Sequence, residues 1–194
     1  MGITLNIQEK RFGRKTVLTN FSYSFSECGM YIIKGKSGIG KTTLLRIIAG
    51  LDKEFTGTVS GIQKGRISMH FQEYRLFDTL TALENVYALA FENAGEKEIN
   101  DSMELLLKLG LKEDELSLYP KELSGGMKMR VSLARAALKS ADVLLLDEPT
   151  KELDSQTRQN VLSLLNNISR DKTVIMVTHE NDIDLLENPT LIEL

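Results

Sequence analysis

The stretch GKSGIGKT at 35–42 constrains this chain more than any other. It fits G-x-x-x-x-G-K-[ST] and lies between an apolar run, MYIIKG at 30–35, and a segment with apolar residues at 44, 45, 47, 48 and 51. That context predicts a buried strand, a tight loop, and a helix over 42–51 closing near Gly50. Gly35, Gly38 and Gly40 let backbone N–H groups turn inward toward an anion, and the helix N-terminus adds a favourable dipole. Lys41 can neutralise the β and γ oxygens of a bound nucleotide, and Thr42 offers its hydroxyl to Mg²⁺.

Apolar patterning elsewhere extends the same design. Residues 3–8 and 22–26 alternate as antiparallel strands would. Buried strands are predicted at 66–72, 142–148 and 173–179, with a final strand in PTLIEL at the end of the chain. SQTRQNVLSLLNNI at 155–168 reads as a helix, and 73–138 turns largely helical. Strands alternating with helices imply an α/β chain with a mostly parallel sheet. We therefore expect one domain over 1–194, with a core lobe at 1–72 and 139–194 and an inserted helical lobe at 73–138.

Two further stretches carry chemistry. VLLLDE at 143–148 puts Asp147 and Glu148 at the C-terminal end of a buried strand, where ligands bind in open α/β sheets. Asp147 would hold the metal, and Glu148 would orient or deprotonate an attacking water. LSGGM at 123–127 sets Ser124 and two adjacent glycines before a basic helical stretch. Bare backbone at that price in chain entropy implies a close approach to something. Lys128, Arg130, Arg135 and Lys139 on that helix read as a solvated face.

Composition narrows the partners. With 24 basic and 27 acidic residues the net charge is −3, which argues against nucleic acid. No apolar run reaches the ~18–20 residues of a membrane span, and the N-terminus lacks a signal peptide's apolar stretch. A cytoplasmic location is expected, with membrane contact only through a partner. The lone Cys28 excludes an internal disulfide and reads as a small packed residue.

Taken in order, the phosphate loop at 35–42, Gln72 ending a strand, LSGGM, VLLLDEPT at 143–150, ELD at 152–154 and His179 ending VIMVTH resemble the nucleotide-binding subunit of an ATP-binding cassette (ABC) transporter. The resemblance spans essentially the whole chain. It implies a P-loop NTPase core with an antiparallel β part at the N-terminus and an inserted α-helical subdomain. It implies ATP and Mg²⁺ as cofactors, with the nucleotide on Gly35, Lys36, Ser37, Gly38, Ile39, Gly40, Lys41, Thr42 and Thr43. Phe12 falls where the family places an aromatic ring against adenine. Thr42, Gln72 and Asp147 are implied metal ligands, and Glu148, His179, Gln72 and Lys41 catalytic groups. Two subunits are implied to face each other head to tail, so that Ser124, Gly125 and Gly126 cap the partner's ATP and Asp154 signals across the dimer. His70 matches no family role and reads as an ordinary strand side chain.

The resemblance implies an ATPase that dimerises on ATP, as homodimer or with another ATP-binding subunit, and drives separate transmembrane permease subunits. FQEYRLFDTLTALENV at 71–86 is similar to importer subunits for small oxyanions and sulfonates, and also to those of lipoprotein release and of macrolide or peptide export. Its Leu76, Phe77, Leu80 and Leu83 read either as part of a groove for a partner's helix or as packing within the helical lobe. Two departures stand out: Met127 where the family commonly has Gln, and KEL before Asp154 where small residues are usual. The chain stops soon after its last strand, so no C-terminal regulatory domain is expected. A soluble ABC ATPase without a transport role is one alternative. A P-loop kinase is the other, opposed by LSGGM and His179.

Overall fold

The computed structural model describes residues 2–63, 65–178 and 180–194. Its parallel sheet has the order β5-β6-β7-β3-β8, from Ile67–His70, Val143–Asp147, Thr173–Val177, Gly29–Lys34 and Thr190–Glu193. Every residue of β6 and β7 is buried, which is why they read as unbroken apolar runs: both faces of the sheet are covered. One face, with Ile33, Leu145, Ile175 and Val177, packs on helix α1 (Lys41–Ile48) and on a small antiparallel sheet. The other, with Ile32, Leu144, Leu146 and Met176, packs on α4 (Gly125–Leu138) and α5 (Ser155–Ile168).

The small sheet has the order β2-β1-β4, from β1 Ile3–Phe12, β2 Lys15–Phe25 and β4 Thr56–Ser60. Antiparallel pairing runs from Ile3 opposite Phe25 to Phe12 opposite Lys15, so both strands extend beyond their expected ranges. The sequence reading missed β4. Its TGTVS offers a single large apolar side chain, and the strand is recruited by pairing with β1 (Leu5 opposite Val59) rather than by its own pattern.

Between β5 and β6 in the chain lie α2 (Ala82–Ala90), α3 (Glu96–Lys108) and α4, joined by short 3₁₀ turns at Glu113–Ser117 and Pro120–Glu122. Residues 73–81 are not helical. Buried Asn85 organises them: its Nδ2 donates to the carbonyls of Phe77, Leu80 and Thr81, and its Oδ1 accepts from Phe77 N at 2.8 Å. Thr81 and Glu84 then start α2 with reciprocal side-chain caps.

Two other expectations change. β5 ends at His70, where its pairing with Leu146 stops, so Gln72 stands in the loop beyond the strand. Cys28 is exposed, because it occupies the turn between the two sheets instead of a packed position.

Candidate active site

The phosphate loop follows from local geometry. Gly40 has φ 118°, and a Cβ there would lie 2.6 Å from Val17 Cγ1, so only glycine fits before α1. The helix opens without any side-chain cap, which leaves its first N–H groups directed at the loop. Lys41 Nζ donates to the carbonyls of Gly35 at 2.8 Å and Lys36 at 3.1 Å, so the ammonium already lies across the loop. Ile39 N closes a turn onto Lys36 O at 3.3 Å.

A cavity of about 530 Å³ brings Ser37, Gly38, Gly40, Lys41, Thr42 and Thr43 together with Phe12, Gln72 and Glu148. Gly35 and Lys36 line a second one with Thr178. Phe12, at the end of β1, keeps its ring 54% exposed, and Lys10 Nζ lies 4.4 Å from the ring centroid. Lys10 is itself fully buried, donating to Asp52 Oδ1 at 2.7 Å and Glu54 O at 2.8 Å. One ring face is therefore backed by a fixed cation.

Asp147 is buried at the end of β6, and Thr42 is its hydrogen-bond partner. Burial pushes the Asp147 carboxyl above its ordinary pKa; the Thr42 bond opposes that shift and the neighbouring Glu148 charge adds to it. Glu148 then leaves the strand at φ 52°, its N–H donating to Val177 O at 2.9 Å and its carboxylate 3.2 Å from Lys151 Nζ. A left-handed glutamate at the mouth of a cavity is stored backbone strain of the kind found at functional sites.

Ser124, Gly125 and Gly126 lie outside that cavity. Ser124 caps α4, its Oγ accepting from Met127 N at 3.3 Å. Asp154 caps α5, accepting from Gln156 N and Thr157 N at 3.0 Å each and from Thr157 Oγ1 at 2.7 Å. The expected His179 lies outside the described residues. The basic face of α4 is not simply solvated. Arg130 donates to the carbonyls of Gly126, Leu109 and Gly110, and Arg135 to those of Tyr74 and Arg75. Burial pulls both guanidinium pKa values down from their ordinary level.

The sequence reading missed Asp182. Its buried carboxylate accepts from the hydroxyls of Thr150 and Thr178 and lies 3.6 Å from Arg158 Nε, tying the loop after Glu148 to the exit of β7. No motif marks it, because its partners are far apart in the chain.

Comparison with known proteins agrees with this geometry. Residues 18–151 match the family model described as ABC transporter. The chain is 42% identical over 197 residues to the aliphatic sulfonates import ATP-binding protein SsuB of Bacillus subtilis (strain 168), covering 94% of this chain and 75% of that one. It is 38% identical over 165 residues to the methionine import ATP-binding protein MetN 2 of Bacillus cereus (strain ATCC 14579), covering 76% and 49%. Among solved structures, the ATP-binding cassette MJ0796 in a dimeric post-hydrolysis state with ADP and Pi superposes with a TM-score of 0.84 at 31% identity, covering 99% of this chain and 94% of that one.

Proposed function

Because the chain belongs to the ABC transporter family and is one of its ATP-binding, ATP-hydrolysing subunits, we propose that two cassettes pair on ATP and that the pair powers an import permease for small sulfonated or similar organic anions. One observation carries the catalytic reading: a single cavity joins the phosphate loop to Phe12, Gln72 and the strained Glu148. In this reading Phe12 stacks on the adenine, residues 35–43 hold the phosphates, and Lys41 moves from its loop carbonyls onto the β and γ oxygens. Glu148 orients or deprotonates the attacking water, Gln72 and His179 flank it, and the core and helical lobes divide near 72 and 139.

The donor set suits Mg²⁺. Thr42 hydroxyl and the Asp147 carboxyl are already bonded to each other, and no cluster of three or more His, Cys, Asp or Glu exists among the described residues. A hard cation that keeps waters and shares phosphate oxygens needs only such a sparse oxygen set. Thr42, Asp147 and Gln72 would hold the ion, which supplies charge neutralisation beside the phosphates. Ser124, Gly125 and Gly126 would cap the nucleotide of the facing subunit, with Asp154 beside the dimer seam; the similarity to MJ0796, a cassette solved as a dimer, supports the pairing itself.

No described helix is long and apolar enough to cross a membrane, so membrane contact would come through the permease, at the inner face of the cell membrane. A groove of about 420 Å³ lined by Leu51, Phe71, Phe77 and Leu89, with Arg75, Arg135 and Lys139, would receive a permease helix with an apolar and acidic face. Of the four residues considered from sequence, Phe77 lines it, whereas Leu76 and Leu83 pack into the core. The import relatives favour transport over a free-standing ATPase role.

Glu148→Gln tests the reading. It should lower hydrolysis by ~100-fold or more while leaving ATP binding intact, and an ATP-bound dimer should accumulate on gel filtration. A variant that hydrolyses normally, or stays monomeric with ATP, defeats the proposal.

A further inference from the structure

Gly125 and Gly126 already face a neighbour from their own chain. A Cβ built on Gly125 would stand 3.1 Å from Glu152 Oε2 and 3.2 Å from Tyr74 Oη, and one on Gly126 would be 3.7 Å from Glu152 O. Tyr74 Oη donates to Glu152 Oε2 at 3.0 Å. The backbone that carries this phenol is anchored to α4, because Arg135 donates to the carbonyls of Tyr74 and Arg75 at 3.1 and 2.9 Å.

Glu152 is fixed from its own side as well. Its φ is 65°, left-handed and uncommon for a residue with a side chain. Leu153 beside it is buried, and Asp154 is committed to capping α5. The bonded phenol and this backbone together hold a carboxylate at the N-terminal end of α4, where the helix dipole favours negative charge. Glu152 belongs to the KEL before Asp154, where this chain departs from the small residues usual in the family it resembles.

We propose that Glu152 is an electrostatic gate on the signature glycines: held by Tyr74, its carboxylate occupies the face of Gly125 that a partner's nucleotide phosphate must approach, so pairing on ATP exchanges one anion for another. The inference rests on the paired reading above. The cavity that joins the phosphate loop to Glu148 is lined by Lys151 and not by Glu152, so Glu152 acts on pairing and not on nucleotide binding by the single chain. A symmetric pair has two such corners, and a ~3-fold effect at each, the size of a partly exposed charge interaction, multiplies to ~10-fold in dimer affinity.

The experiment measures ATP-dependent dimer affinity by analytical ultracentrifugation, with Glu148→Gln present to prevent turnover. Adding Glu152→Gln keeps the volume and an acceptor for Tyr74 but removes the charge. Pairing should tighten ~10-fold, the gap between the two chains should narrow as salt rises, and ATP affinity of the monomer should not change. Equal or weaker pairing overturns the gate while leaving the paired reading intact. No pairing by either chain overturns both. Should Glu152→Gln misfold, Tyr74→Phe decides: by freeing the carboxylate to swing away it tightens pairing if the gate exists, and unchanged or weaker pairing rules it out.

Discussion

Around Lys41 the structure is assembled from one continuous run, held by backbone: Gly40 in the left-handed region, an uncapped helix start, and an ammonium lying on two carbonyls five and six residues back. Around Gly125 the corner is assembled from residues 74, 125, 135 and 152, held by side chains that meet across three segments. The first arrangement tolerates no side chain at Gly40, where a Cβ would meet Val17. The second can be rebuilt with other residue types, as Glu152 illustrates. Strictness belongs where the backbone is the ligand, and variation where side chains merely surround it.

The largest test of that contrast is Lys41→Ala. In the proposed site the Lys41 ammonium bonds the β and γ oxygens; removing it would delete charge-assisted bonds of about 1.5–3 kcal/mol each, so ATP affinity should fall ~100-fold or more, and turnover with it. Fluorescent-nucleotide titration checks this, and wild-type affinity would overturn the placement of the phosphates on residues 35–43.

Legibility followed the same division. The phosphate loop, the buried strands β6 and β7 and helix α5 could be read directly, since each is specified within a dozen residues by glycine placement or by a run of apolar side chains. Strand β4 could not, because it is made by pairing with β1 and not by its own pattern. Asp182, Asn85 and the Tyr74–Glu152 bond were equally hidden, since each depends on partners that only the fold brings together. Arg130 and Arg135 misled for the opposite reason: a charged helix face looks solvated until a neighbouring loop offers its carbonyls.

Asp182→Ala attacks a side-chain-built junction beside the catalytic strand end. It strands two buried hydroxyls and removes the partner of Arg158, and should cost about 3 kcal/mol of unfolding free energy, since the Arg158 side chain is partly exposed. Asp182→Asn, retaining one acceptor oxygen, should cost about half as much. Urea unfolding measures both, and a loss below about 1 kcal/mol for the alanine variant would remove Asp182 from the account.

His70 provides a pH probe of the same interior. It is fully buried on β5, and burial first, then the charge of Arg135, lower its pKa to about 4, with backbone groups of Asp147 and Met129 pulling the other way. The unfolded chain titrates the same imidazole near 6.5, so between those values the unfolded state binds more protons and stability falls as pH falls. The loss begins near pH 6.5, is complete below about 4, and amounts to at most about 3 kcal/mol. His70→Leu removes it. Comparing unfolding free energies of the two chains from pH 7 to 4 cancels the carboxylates and His179 common to both, and parallel curves would contradict a buried neutral His70.

Met127→Gln should have the smallest effect, and the structure says why. The Met127 side chain, in the first turn of α4, is half-buried and packs against the core, while its backbone N–H is engaged by Ser124 Oγ. The groups facing the approach to Gly125 are instead Glu152 and Tyr74. Restoring the residue more common in the family therefore changes neither the Ser124 cap nor the charge at that corner. It gives up only part of one flexible side chain's apolar contact, roughly 1 kcal/mol. Hydrolysis should stay within about 3-fold of the parent rate, less than the ~10-fold change in pairing expected for Glu152→Gln. A steady-state assay at saturating ATP, run across protein concentrations that span the pairing equilibrium, separates the two. If Met127→Gln moved pairing as far as Glu152→Gln did, position 127 would be a contact of the incoming phosphate, and the corner would be organised by residue identity as strictly as the loop around Lys41.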